Sequence, residues 1–92
     1  MADQSAVTRS VRAGIDSDPA QGAVVPPVYL STTYSFSGYG ERRDFDYSRS
    51  GNPTRALLAD ALADLEGGAG GVVTGSGMGA VTAVLSALVE PG

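Results

Sequence analysis

The stretch Asn52-Pro53-Thr54-Arg55-Ala56-Leu57-Leu58-Ala59-Asp60-Ala61-Leu62-Ala63-Asp64-Leu65-Glu66-Gly67-Gly68, with Gly71-Val72-Val73-Thr74 and Gly75-Ser76-Gly77-Met78-Gly79 behind it, decides the fold class. Asn52 stands where a side-chain oxygen can cap free backbone N–H groups, and Pro53 occupies the first helical position, where its missing N–H is not needed. Leu58, Ala61, Leu62 and Leu65 then recur at the spacing of one helix face, and Gly67-Gly68 offers the left-handed turn that ends a helix. The short apolar run over residues 71–74, bounded by glycines, predicts a buried strand. Residues 75–79 open a second helix, with Val81, Val84, Leu85 and Leu88 on one face and Ala80, Ala83 and Ala87 filling much of the rest. Such a helix, apolar nearly all round, is expected to be buried. Helix, buried strand, glycine turn and buried helix make half of an α/β layer. The sequence therefore reads as the beginning of a larger domain, with Glu90-Pro91-Gly92 stopping the second helix where a next strand would start.

Working back from Asn52, residues 1 to 51 show little periodicity. Thr8 to Ala13 suits a single helical turn, after which Gly14, Asp16, Asp18, Pro19 and Gly22 punctuate the chain. Ala23-Val24-Val25-Pro26-Pro27-Val28-Tyr29-Leu30 is apolar, but its two prolines lack ladder donors and favour extended geometry over a central strand. An ordered arm follows from this. Because such a segment cannot satisfy itself, it needs another surface, of another subunit or of further chain, to lie on.

Composition excludes several functions. The 92 residues allow one small core at most, and the net charge of −4 arises from ten acids against six basic residues, every one an arginine. No cluster of basic and aromatic side chains offers a footprint on nucleic acid. Cysteine and histidine are both absent, which removes disulfides, thiolate chemistry and the commonest metal ligands, so no metal site is expected. The opening Met1-Ala2-Asp3-Gln4-Ser5-Ala6 lacks a basic leader, and no run approaches the ~18 apolar residues of a membrane span. A soluble, cytoplasmic protein is the expectation.

Two segments offer chemistry. At the glycine turn, the N–H groups of Gly77 and Met78 would lie free at a helix N-terminus, an anion site that glycines open to a phosphate; the Ser76 hydroxyl adds a hydrogen bond or caps the helix. The same turn also serves as a mere tight connection between strand and helix. Gly75, Gly77 and Ala80 further match the dinucleotide fingerprint G-x-G-x-x-G/A, so a Rossmann-type nucleotide-binding domain competes. Against it, no acid lies near ~20 residues beyond the first glycine. The second segment is Asp46-Tyr47-Ser48-Arg49-Ser50-Gly51-Asn52-Pro53-Thr54-Arg55. If the part before Asn52 is extended, it places Tyr47 and Arg49 on one side, a phenol beside a guanidinium fork suited to phosphate oxygens; the alternative is a solvated arginine and a packing or surface tyrosine.

Tyr47-Ser48-Arg49-Ser50-Gly51-Asn52-Pro53-Thr54-Arg55, joined to Leu65-Glu66-Gly67-Gly68 and Ser76-Gly77-Met78, closely resembles the start of the cystathionine γ-synthase, cystathionine γ-lyase and methionine γ-lyase family. Thr8-Arg9-Ser10-Val11-Arg12-Ala13-Gly14, Gly22-Ala23-Val24-Val25-Pro26-Pro27-Val28 and Ser31-Thr32-Thr33-Tyr34-Ser35-Phe36 are similar to that family's N-terminal arm. The resemblance implies an α/β enzyme of pyridoxal-phosphate fold type I, aspartate-aminotransferase-like. Residues 1–51 would be an arm reaching a neighbouring subunit, and residues 52–92 the beginning of the cofactor-binding domain. It implies small amino-acid substrates and a homotetramer, a dimer of dimers with active sites shared between subunits. Ser76, Gly77 and Met78 would hold the phosphate of pyridoxal 5′-phosphate in their own subunit, while Tyr47 and Arg49 reach the phosphate of the neighbour's site. Tyr47 would also assist proton movement. The Schiff-base lysine of the family has no counterpart here, since the chain contains no lysine; by itself it is not a complete catalyst.

Within the family, Tyr34-Ser35-Phe36-Ser37-Gly38 and Asp46 look more like the γ-synthases. These join an O-acyl-homoserine, O-succinyl-homoserine being the first choice, to cysteine on the route to methionine. Ser50 departs from synthases that carry a second arginine there and is similar to the γ-lyases, which stand as the alternative together with a non-catalytic fragment.

Overall fold

Asn52 carries out the capping its position predicts. Its Oδ1 accepts the N–H groups of Thr54 at 2.9 Å and Arg55 at 3.3 Å, and the helix Pro53–Glu66 follows with Pro53 in its first turn. At the other end Gly67 turns left-handed at φ 69°, and the N–H of Gly68 returns to the carbonyl of Ala63 at 2.8 Å. In chain order this helix is α2, preceded by α1 (Ala6–Arg12) and followed by α3 (Gly77–Leu88). The computed structural model describes residues 4–91. Met1 to Asp3, the start of the stretch inspected for a leader, and Gly92, the end of the expected helix stop, lie outside them.

The first helix is longer than the single turn expected from Thr8. It begins at Ala6, two residues upstream of the expected start, because the Ser5 hydroxyl accepts the Thr8 N–H at 3.2 Å as N-cap. It lies against α2, where Arg9 Nη1 reaches both the carbonyl and the Oδ2 of Asp64, at 3.1 and 3.0 Å.

Between α1 and α2 the chain runs as a pinned arm. Asp18, buried, accepts the N–H groups of Ala20 and Ala23 through its two carboxylate oxygens and so folds the 18–23 loop onto itself. Farther on, the Tyr29 N–H donates to Thr54 Oγ1 at 2.8 Å and the Tyr29 carbonyl accepts from Asn52 Nδ2 at 3.2 Å, fastening the arm to the head of α2. The two prolines, lacking N–H groups, make no demand that this extended course leaves unmet. Residues 32–34 then pair antiparallel with 46–48 through an isolated bridge, Thr33 to Tyr47.

Two expectations fail. Residues 71–74 form no strand, and Val72 is 85% exposed. A strand needs a neighbour to receive its N–H and C=O groups, and among the described residues only the isolated bridges Thr33–Tyr47 and Gly38–Glu41 pair backbone in that way. Nor is α3 buried: it forms as expected, yet Val81, Val84, Leu85 and Leu88 are all at least half exposed. Its apolar composition reports a need for cover that this chain does not meet. The sole buried apolar side chain among the described residues is Ala59, on α2 beneath Gly71.

This is a plate rather than a ball. Its Cα radius of gyration is 16.0 Å, where a compact domain of this length has about 12 Å. Its accessible surface of 7334 Å² exceeds the roughly 5,000 Å² of a folded monomer of its mass. Among the described residues no helix is long and apolar enough to cross a membrane.

Candidate functional site

The head of α3 presents backbone donors. Ser76 caps the helix by accepting the Gly79 N–H on its Oγ at 3.0 Å, and its carbonyl receives the Ala80 N–H at 3.1 Å. These are the first donors the helix can satisfy locally, so the N–H groups of Gly77 and Met78, just before them in the same turn, have no intrahelical acceptor. Thr74 Oγ1 donates to the Ser76 carbonyl at 2.7 Å and steadies the turn. A Cβ at Gly79 would stand 3.3 Å from Ser76 Oγ and 3.5 Å from Thr74, so the turn is tight against its own cap. Of the two sequence readings of Ser76, the cap is the one seen here, and the amides at 77 and 78 remain directed outward at the positive end of the helix dipole.

Tyr47 and Arg49 do meet, though not as the sequence suggested. The chain is extended only as far as Ser48: the Tyr34 N–H donates to the Asp46 carbonyl at 3.1 Å and the Ser48 N–H to the Thr32 carbonyl at 2.8 Å. It then turns, with the N–H groups of Ser50 and Gly51 both reaching the Tyr47 carbonyl at 3.0 Å. The two-residue period of a strand therefore does not align the side chains. Instead the Arg49 guanidinium folds back over the Tyr47 ring, 5.1 Å from its centroid, in a cation–π stack. The ion pairs among the described residues are Arg9–Asp64 and Arg42–Asp46, so Arg49 keeps its charge free of any carboxylate.

Arg49 also lines an open cleft of about 340 Å³ with Ser50, Arg55 and the 71–73 backbone. The lining ends at Val73, so the cleft does not include the 75–79 turn. One chain thus builds two separate anion-directed groups, the paired amides at the head of α3 and the stacked arginine of the 47–51 turn. Two features escaped the sequence. Arg55, half-buried on α2, donates to the Arg49 carbonyl at 3.4 Å. The amide of Asn52 serves the arm and the turn as well as the helix; a cap consumes only Oδ1, and the two hydrogens left on Nδ2 were the available signal.

The sequence profile of the family described as Cys/Met metabolism PLP-dependent enzyme matches residues 7–92, and the chain belongs to that family. Pyridoxal 5′-phosphate is its cofactor, and the chain matches the N-terminal region of solved structures of this family, in keeping with the α/β fold type I expected from the sequence. Among particular proteins, the chain is similar to cystathionine γ-synthase of Escherichia coli K12, 52% identical over 85 residues that make up 92% of this chain and 22% of that protein. It is 46% identical over 79 residues to cystathionine β-lyase of Lactococcus lactis subsp. cremoris MG1363, covering 86% of this chain and 21% of the lyase. The crystal structure of cystathionine γ-synthase from Xanthomonas oryzae pv. oryzae in complex with cystathionine superposes with a TM-score of 0.92 at 61% identity, over 97% of this chain and 23% of that one. The chain therefore spans less than a quarter of the length of these relatives, all of them enzymes.

Proposed function

We infer that the full gene product catalyses γ-replacement, joining an O-acyl-homoserine, in the first instance O-succinyl-homoserine, to cysteine to give cystathionine. The observation that carries the reading is identity of 52% and 61% to two cystathionine γ-synthases, while other γ-synthases stand at 46%, level with the β-lyase. Residues 1–51 act as an arm extending to a neighbouring subunit and residues 52–92 open the cofactor domain, within a cytoplasmic homotetramer. The exposed apolar side chains of the arm, Val24, Val25, Val28 and Leu30, support such a neighbour.

The residues present fit the phosphate end of the cofactor. The N–H groups of Gly77 and Met78, with Ser76 framing them, would donate to phosphate oxygens without any intrahelical bond having to break. Arg49, charged and without a carboxylate partner among the described residues, would supply a charge-assisted donor to the phosphate of the adjoining subunit, with Tyr47 beneath it holding the guanidinium in place. The Tyr47 phenol would also assist proton movement there. When bound, pyridoxal phosphate supplies the electron sink for carbon–hydrogen and γ-substituent cleavage, anchored by a lysine that this chain does not contain.

Incubating the full gene product with pyridoxal phosphate, O-succinyl-homoserine and cysteine should yield cystathionine. Breakdown of cystathionine with no synthesis from these two substrates would overturn the reading in favour of a lyase, the alternative that Ser50 and the β-lyase identity support.

A further inference from the structure

The assignment of Arg49 leaves open what sets the turn that carries it. Ser48, between Tyr47 and Arg49, is held by a polar network whose proton directions follow from counting. Asn52 Oδ1 accepts two backbone N–H groups, which fixes the amide's orientation and leaves Nδ2 two hydrogens for three acceptors, one for Tyr29 O at 3.2 Å and one shared between Tyr34 Oη at 3.2 Å and Ser48 Oγ at 3.1 Å. Ser48 has one hydroxyl proton and gives it to the Ser31 carbonyl at 2.5 Å. Its oxygen can therefore only accept from its remaining neighbours, so the 3.3 Å contact between Tyr34 Oη and Ser48 Oγ is a donation by the tyrosine. The relay runs Tyr34 O–H to Ser48 Oγ to Ser31 C=O, with Asn52 bridging its first two members. The Tyr34 ring is placed independently, tilted 46° against Phe45 at 6.1 Å. Phe45 in turn sits under Gly51, where a Cβ would come within 3.0 Å of its ring.

We propose that the Tyr34 hydroxyl is a positioning group for cofactor phosphate recognition: through Ser48 it sets the turn on which Arg49 stands stacked over Tyr47. The proposal rests on the reading of Arg49 as a phosphate ligand. Tyr34 acts as a positioning residue, through Ser48 and the turn alone. Tyr34→Phe keeps the ring contact with Phe45 and removes only the hydroxyl, so the variant retains the packing that places the aromatic side chain.

The test compares pyridoxal phosphate with pyridoxal, which lacks the phosphate, as ligands of the full gene product stripped of cofactor. Affinities are measured for wild type, Tyr34→Phe, Arg49→Ala and the double variant. Loss of a neutral hydrogen bond corresponds to roughly a threefold to tenfold change in equilibrium constant. The expected outcome is that Tyr34→Phe weakens pyridoxal phosphate by about that factor, leaves pyridoxal unchanged, and adds nothing once Arg49 is alanine. Equal weakening of both ligands, or full additivity with Arg49→Ala, would mark Tyr34 as a general structural residue and overturn the proposal. If Arg49→Ala weakens pyridoxal phosphate and Tyr34→Phe does not, positioning by Tyr34 is wrong while the Arg49 assignment stands. An Arg49→Ala variant with undiminished affinity for pyridoxal phosphate would remove both.

Discussion

Gly71 passes so close to α2 that a single methyl group there has a calculable consequence. A Cβ built on Gly71 stands 2.7 Å from the Ala59 carbonyl oxygen and 3.3 Å from its carbonyl carbon, both backbone atoms. Ordinary contact begins near 3.4 Å, so the 71–73 segment or the helix must withdraw by about 0.7 Å, and neither is a flexible side-chain tip that yields freely. Overpacking of this kind costs about 1–3 kcal/mol. The φ of Gly71 is not positive, so backbone strain makes no contribution and the clash stands alone as the cause. Gly70 is the matched control, one residue away, also without positive φ and with nothing within 4 Å of its built Cβ. Gly70→Ala should be neutral or stabilising by up to about 1 kcal/mol, through the narrower unfolded ensemble. Urea unfolding of the full gene product, followed by circular dichroism, should therefore shift the midpoint down for Gly71→Ala and not for Gly70→Ala. Equal midpoints for the two variants would refute the argument that this segment is seated on Ala59.

Asn52→Asp keeps a capping oxygen but exchanges the Nδ2 donors for an acceptor facing the Tyr29 carbonyl. It should lower the same urea midpoint by at least as much as Asn52→Ala, which loses a cap worth about 1 kcal/mol; a harmless Asn52→Asp would show that the arm does not depend on the amide. The contact between α1 and α2 makes an ordered pair. Asp64→Asn removes a partly exposed ion pair and should change stability by no more than about 1 kcal/mol, fading in high salt. Arg9→Ala also loses the donation to the Asp64 carbonyl and should cost more at every salt concentration, as read from midpoints at low and high sodium chloride.

The parts of the fold that could be read in advance are those whose causes lie within a few residues. Asn52 and Pro53 at one end of α2 and Gly67 at the other act on neighbouring backbone, and Ser76 does the same for α3, so both helices stand where the spacing places them. The strand expected at 71–74 depended on partners far away, which local pattern cannot supply, and the same holds for the burial of α3. The site divides along the same line. The free amides of Gly77 and Met78 follow from the cap. The meeting of Tyr47 with Arg49 was expected for a wrong reason, because the turn beginning at Ser48 is held by Thr32, Ser31 and Tyr34, between 14 and 17 residues away for the two side-chain contacts. Ser5 is a local cap of the same kind, and it moves the start of α1 ahead of the expected turn.

The amide of Asn52 ties the first turn of α2 to the backbone at Tyr29 and the hydroxyls of Tyr34 and Ser48. Fraying of the helix head and lifting of the arm therefore cease to be independent events, because either one strips hydrogen bonds from the other. Such segments open as one cooperative unit: the amide protons of Tyr29 and Thr54, though 25 residues apart, should exchange with deuterium at a common opening free energy.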